Sequence, residues 1–165
     1  MTTLHLISGL PCSGKTTYAH NLQKEVKGIV FSLDTWLITL YGRYDIDDVG
    51  HDEHVKRVLA CRALIWGLAQ DLLSRNIDVI LDDGFFLSKH RKTYTQQAKK
   101  NSAATITHYL TAPIPTIKKR IAKRNQDPAP FTFVIRPELI DDFIAMFEEP
   151  SEKEGTTVIV IKNDD

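Results

Sequence analysis

The string Gly9-Leu10-Pro11-Cys12-Ser13-Gly14-Lys15-Thr16 restricts what this chain can fold into more than any other feature. It satisfies G-x-x-x-x-G-K-[ST] at every defined position. It also separates a short apolar run, Leu4 to Ser8, from a segment with helical character, Lys15 to Val26. A glycine turn between a buried strand and a helix gathers backbone N–H groups and the positive end of a helix dipole at one point. That geometry suits the phosphates of a nucleoside triphosphate. Lys15 adds a point charge for the β- and γ-phosphate oxygens, and the Thr16 hydroxyl is a ligand type for Mg²⁺. Gly9, Pro11, Cys12, Ser13, Gly14 and Thr17 complete the expected phosphate-binding set. Cys12 fills a position where the motif admits almost any residue, and Cys61 reads as a small core residue.

The rest of the chain divides into alternating strands and helices. Gly28 is expected to end the first helix, and Ile29-Val30-Phe31 reads as a second strand. A short helix over Asp34 to Tyr41 and a solvated loop over Gly42 to Gly50 follow. One long helix is expected from about Asp52 to Arg75, with Val55, Val58, Leu59, Ile65, Trp66, Ala69, Leu72 and Leu73 at helical spacing. Val79-Ile80-Leu81 is a third strand, and Ser88 is placed to cap a helix reaching about Lys100. Ala104 to Leu110 is a fourth strand, and Pro113 fits the start of a helix running to about Asn125. Gln126 to Pro137 contains three prolines and little helical pattern, so it reads as a loop or flap. A helix over Pro137 to Phe147 and a strand over Thr157 to Ile161 close the chain. Strands separated by helices lie parallel, because parallel neighbours need crossover connections. The expectation is a single α/β domain over residues 1–165: a five-stranded parallel sheet with helices on both faces, in three layers.

Composition narrows the function classes. With 42% apolar and 25% charged residues, the 165-residue chain can build one ordinary core. Lys plus Arg equals Asp plus Glu, 21 against 21, whereas a protein that coats duplex DNA needs a basic excess. Two cysteines make neither a disulfide framework nor a metal set. No apolar run approaches the roughly 18 residues of a membrane span. Met1-Thr2-Thr3-Leu4-His5 lacks the positive start of a signal peptide. A soluble cytoplasmic protein without a membrane partner is therefore expected.

In open α/β sheets, ligands bind beyond the carboxyl ends of the strands. The second strand, expected to neighbour the phosphate-loop strand, delivers Asp34 to that edge. There it is placed to take the proton of an acceptor hydroxyl, with a helix N-cap as its competing role. The third strand delivers Asp82, read as supporting Mg²⁺, and Asp83, read beside Gly84 as a turn former. Arg120 and Arg124, one turn apart in the basic run Lys118, Lys119, Arg120, Lys123 and Arg124, share a helix face. Their planar forks suit phosphoryl oxygens, and the flap that follows makes about 120–137 a lid-like segment. Within Lys89-His90-Arg91-Lys92, Arg91 is either a ligand for an anionic substrate or part of a surface face. The acidic residues Glu138, Asp141, Asp142, Glu148, Glu149, Glu152 and Glu154 read as solvated surface, and His51 and His54 as surface or core.

Together, Gly9 to Thr17, Asp34, Val79-Ile80-Leu81-Asp82 and Arg120-Ile121-Ala122-Lys123-Arg124-Asn125 resemble the small P-loop kinases. More narrowly, they are similar to the short AAA-type ATP-binding kinases related to polynucleotide 5′-hydroxyl kinases, zeta toxins and chloramphenicol phosphotransferases. Phe131 to Leu139 and Phe147-Glu148-Glu149-Pro150 share the likeness, which covers essentially the whole chain. The resemblance implies a P-loop NTPase fold, ATP and Mg²⁺, Asp34 as the base, and Arg120 with Arg124 in the lid. Polynucleotide kinases commonly carry an arginine four residues after the base acid, where this chain has Ile38. A nucleic-acid end is therefore the disfavoured acceptor. The leading expectation is a kinase that moves the γ-phosphate of ATP to a hydroxyl group, the acceptor being a small molecule. The alternatives are a nucleic-acid 5′-hydroxyl kinase and a nucleotide-dependent switch with no phosphate acceptor.

Overall fold

Every residue from Leu4 to Ser8 is buried, as a central parallel strand covered on both faces requires. The computed structural model describes residues 1–164; Asp165, the last residue of the expected domain, lies outside the described residues. The elements are β1 (Thr3–Ser8), α1 (Lys15–Val26), β2 (Ile29–Ser32), α2 (Leu33–Tyr41), α3 (Ile46–Val49), α4 (His51–Ser74), β3 (Val79–Gly84), α5 (Ser88–Lys100), β4 (Ala104–Thr111), α6 (Ile114–Gln126), a 3₁₀ turn (Pro137–Leu139), α7 (Ile140–Met146), a second 3₁₀ turn (Glu152–Glu154) and β5 (Thr157–Lys162). All five strands run parallel, in the order β2-β3-β1-β4-β5.

The strand period of two sends alternate residues to opposite faces. Leu4, Leu6, Val79 and Leu81 pack with Cys61, Ile65, Ala69 and Leu73 of α4 and Ala98 of α5. Ile7, Ile80 and Leu110 pack against Ala19 and Leu22 of α1 on the other face. Ile117 and Ile121 of α6 form a third cluster with Ile140 of α7. The sheet with helices on both faces is thus the expected one, and Cys61 is the expected core residue. Among the described residues, no helix is long and apolar enough to cross a membrane.

Several local expectations fail for identifiable reasons. β3, not β2, neighbours β1, so Asp34 approaches the phosphate loop from the outer strand of that half-sheet. Lys27, not Gly28, takes the left-handed position ending α1, at φ 54°. Gly28 instead lets the chain pass β3, since a Cβ there would stand 2.7 Å from the Asp78 carbonyl oxygen. Leu87 is the N-cap residue of α5, and the Ser88 backbone N–H donates to the Glu148 carboxylate at 2.6 Å. Pro113 precedes α6 as its N-cap residue. The loop after α2 holds the single turn α3, whose cap is the Asp45 side chain accepting from the Asp47 N–H at 2.9 Å.

Arg91 is neither a substrate ligand nor a surface residue. It is fully buried, with Nε and Nη2 donating to the two Glu154 carboxylate oxygens at 2.8 and 2.7 Å. Its Nη1 donates to the Phe85 carbonyl at 2.7 Å. Arg91, Thr95 and Ala98 are the buried stripe of α5, spaced by four and three residues. Glu154 consequently leaves the expected solvated set, being 8% exposed.

Candidate active site

The loop between β1 and α1 needs glycine at both ends. At Gly9, where φ is 153°, a Cβ would lie 2.6 Å from the Leu110 carbonyl oxygen and 2.7 Å from Ser13 Oγ. At Gly14, where φ is 95°, it would strike the side-chain amide of Asn163. The Gly9 N–H donates to the Gly84 carbonyl at 3.1 Å, tying the loop to the end of β3. On the far side, the Cys12 carbonyl accepts from Arg120 Nη1 at 3.2 Å and the Ser13 carbonyl from Asn163 Nδ2 at 3.0 Å. Asn163 is held in turn by its backbone N–H donating to the Thr111 carbonyl, and by Arg120 Nη2 donating to its Oδ1 and carbonyl. Sequence reasoning missed Asn163; its one signal was a place just past the last strand, at the edge where the loop lies.

Lys15 begins α1 and donates from Nζ to the Leu10 carbonyl at 2.8 Å. Desolvation pushes its ammonium below the usual range, and the carboxylates of Asp82 and Asp34 oppose that shift. Thr16 Oγ1 donates to Asp82 Oδ2 at 2.7 Å, so the expected magnesium pair is in contact. A hydroxyl and a carboxylate beside a phosphate loop are the hard oxygen donors Mg²⁺ takes. Among the described residues no group of three or more His, Cys, Asp or Glu can hold a metal alone. A cation here would draw its other ligands from phosphate and water, as Mg²⁺ usually does.

Asp34 stands in the first turn of α2, which has Ser32 as its N-cap residue and no side-chain cap. The competing capping role is therefore unfilled. The Asp34 carboxyl is pushed up to about 6, first by the desolvation of the protein around it and then by the charge of Asp82. Lys15 and Arg124 pull the other way. The residue as a whole is nonetheless exposed.

The two arginines of α6 face different targets. Arg120 contacts the loop carbonyl and Asn163, whereas the charge of Arg124 acts on Lys15 and Asp34. Arg124 Nη2 donates to the Phe133 carbonyl at 3.4 Å, and its buried Nε has no partner among the described residues. Asp83 is not a turn former: Arg62 of α4 grips both its carboxylate oxygens at 2.7 Å. Burial raises the Asp83 carboxyl and Arg62 opposes the rise.

The irregular segment after α6 is fastened at both ends. Asn125 exchanges two hydrogen bonds with the Ile135 backbone, at 2.6 and 3.2 Å. Across the cleft, Arg43 donates to the Ala129 and Pro130 carbonyls at 2.7 and 3.2 Å. Arg136 pairs with Asp47 at 2.6 Å and Asp45 at 3.4 Å. The Phe133 ring meets Tyr44 edge-on, centroids 5.2 Å apart, and the Tyr44 hydroxyl is 3.0 Å from His54 Nδ1.

A family model described as an AAA domain matches residues 4–150. No curated protein matches the sequence. Among solved structures, a candidate kinase from Chloroflexus aurantiacus j-10-fl is similar at 15% identity and a TM-score of 0.78, over 99% of this chain and 89% of that one. Kti12 of Chaetomium thermophilum, solved with ADP-AlF3, aligns at 17% identity and a TM-score of 0.74, over 98% of this chain and 90% of that one. A gluconokinase from Sinorhizobium meliloti 1021 aligns at 13% identity and a TM-score of 0.60, over 96% and 82%. At these identities the likeness establishes the fold.

Proposed function

Because the chain belongs to the AAA domain family, whose model it matches over residues 4–150, and has the P-loop kinase fold, we propose that it is an ATP- and Mg²⁺-dependent kinase acting on the hydroxyl group of a small molecule. The observation that carries this reading is the convergence beside the phosphate loop: Thr16 bonds to Asp82 at 2.7 Å, and Lys15, Asp82 and Arg124 all act electrostatically on the carboxyl of the exposed residue Asp34.

In this reading, the loop from Gly9 to Thr17, with Pro11, Cys12 and Ser13 in its turn, receives the β- and γ-phosphates. Lys15 exchanges the Leu10 carbonyl for a phosphate oxygen. Thr16 and Asp82 would hold Mg²⁺, which when bound neutralises charge on the phosphates. The acceptor oxygen bonds to the γ-phosphorus as the bond to the β–γ bridging oxygen breaks and ADP leaves. Asp34 takes the proton that the acceptor gives up. A carboxyl raised to about 6 is ionised at neutral pH yet more basic than an ordinary aspartate, which suits a general base. Arg124 faces the transferred group with its unpartnered Nε, while Arg120 keeps the loop in shape through the Cys12 carbonyl. The segment 127–136 serves as the lid that excludes water. Kinase names among the fold neighbours, a gluconokinase included, support a small-molecule acceptor.

The test is ATP consumption in the presence of sugars, nucleosides, aminoglycosides and oligonucleotides. One of the small molecules is expected to raise ADP release well above the basal rate. A basal rate unchanged by the whole panel would reject the kinase reading in favour of a switch, and a response confined to oligonucleotides would make it an end kinase.

A further inference from the structure

We propose that the outer face of α4 is a dimer interface, on which a second copy of this chain packs with its own α4 antiparallel. The inner stripe of the helix, Cys61, Ile65, Ala69 and Leu73, is buried. A helix lying on a core normally turns polar side chains to water on its other side. This one does not. Leu59, Leu64 and Leu68 are 58%, 55% and 46% exposed, and Ala60, Ala63 and Gly67 among them are exposed as well. From Val58 to Ala69 the sequence holds one charged residue, Arg62, and its guanidinium is turned onto Asp83. A contiguous apolar patch of this kind marks an interaction surface.

The middle of the face is shaped for another helix. Ala60, Ala63 and Gly67 follow one another at steps of three and four residues, so they form one line, with Leu59 on one flank and Leu64 and Leu68 on the other. Side chains this short let two helix axes come within about 8 Å, and the leucines then close over the seam. Gly67 bears on this independently. A glycine inside a helix costs about 1 kcal/mol relative to alanine, yet a Cβ at Gly67 would meet no atom within 4 Å. Nothing in its own fold calls for a glycine there, whereas the close approach of a second backbone does.

Charge identifies the occupant. The same line runs on to Lys56 toward the helix start and to Asp71 toward its end, both exposed and both equally far from the midpoint between Ala63 and Leu64. A two-fold axis through that midpoint, relating antiparallel helices, brings Lys56 of each copy beside Asp71 of the other. It also sets Ala60 against Gly67 of the other copy and brings the two Ala63 residues together at the axis. A parallel pair would instead set Lys56 against Lys56 and Asp71 against Asp71. The antiparallel pair further brings the acidic first turn, Asp52 and Glu53, toward the exposed Arg75 at the other helix's end, and it opposes the two helix dipoles. The face is thus complementary to itself, and a two-fold contact closes at the dimer.

The experiment is sedimentation of the full chain across micromolar concentrations, in reducing buffer. The unaltered chain is expected to reach the mass of two chains. Ala63→Glu should raise the dimer Kd about tenfold or more, with helix content by circular dichroism unchanged. Lys56→Glu sets like charges together at both ends and should weaken the dimer about fivefold to thirtyfold; adding Asp71→Lys should restore it. On mild oxidation, with the unaltered chain as control, Ala63→Cys should link the copies by a disulfide. Lys56→Cys should not, since antiparallel packing separates the two cysteines by about 22 Å along the helices. A monomer at every concentration overturns the proposal, and so does a dimer indifferent to Ala63→Glu. A dimer that links through Lys56→Cys, or that the double charge exchange fails to restore, overturns the antiparallel packing.

Discussion

Replacing Glu154 with Gln removes one charge from a pair that no solvent reaches. Arg91 is 0% exposed and the Glu154 side chain 4%, so the guanidinium left behind cannot be rehydrated without opening the fold. Glutamine keeps the shape and can still accept one hydrogen bond, but it supplies no counter-charge. Breaking a buried pair from one side typically costs about 3–5 kcal/mol. Against a whole-domain stability of about 5–15 kcal/mol, that is a large fraction. At about 2–4 °C per kcal/mol for a domain of this size, the melting temperature should fall by roughly 6–20 °C. The loss should also reach the site. Arg91 and Ser8 both donate to the Phe85 carbonyl, and Phe85 bends the chain at φ 43° directly after Gly84, which anchors Gly9. The assay is thermal melting with urea titration, in which the midpoint should move while the m-value holds. Arg91→Met combined with Glu154→Leu should recover most of the loss, because an apolar pair leaves no buried charge. A Glu154→Gln cost below about 1 kcal/mol would refute the reasoning.

Three further outcomes are expected. ATP with Mg²⁺ at 100 times its Kd should add about 2.7 kcal/mol of stability, and Lys15→Ala should abolish most of it; no thermal shift with any nucleoside triphosphate would reject the phosphate loop. Asn163→Ala should weaken nucleotide binding by about 1–2 kcal/mol, or roughly 5–30-fold by titration calorimetry, because the Ser13 carbonyl loses its donor and Arg120 an anchor. Unchanged affinity would reduce Asn163 to a spacer. Burial lowers the His108 imidazole from 6.5 to about 4 and pushes His5, 2.9 Å away, in the same direction. Below 6.5 the unfolded chain therefore binds more protons than the fold, so stability is full above 6.5 and drains away toward pH 4. His108→Gln should flatten that acid limb in urea melts, and an unchanged slope would place its origin elsewhere.

The fold was legible because the two sequence periodicities are clean and the phosphate motif sits where one gives way to the other. α1 occupies Lys15–Val26, the range expected from pattern alone, and α5 ends at Lys100 as expected but starts one residue earlier than a Ser88 cap implied. Strand order was not legible, since nothing local in Ile29 to Phe31 says which edge that strand will take. The motif residues and Asp82 came together as expected because short turns bind them to strand ends. Arg91 misled because a basic run on a helix normally faces water, and its partner Glu154 lies 63 residues on. Asp83 misled as a turn former because its partner Arg62 lies on another element, and only the packing of α4 on the sheet brings the two together. Asn163 carried no motif, and its role depends on β5 ending beside the loop.

The central claim is that Asp34 takes the acceptor's proton, and the most direct test is the rate of γ-phosphate transfer by Asp34→Asn at saturating nucleotide. Asparagine keeps the shape of the side chain and removes no capping bond, because α2 has none from Asp34. Nucleotide affinity should stay close to that of the unaltered protein, while labelled phosphate reaching the acceptor should fall by about 10²–10⁴-fold, or roughly 3–5 kcal/mol of barrier. In the unaltered protein the same transfer should rise with pH through about 6, as the Asp34 carboxyl loses its proton. Near-normal transfer by Asp34→Asn would contradict the account and put the base elsewhere.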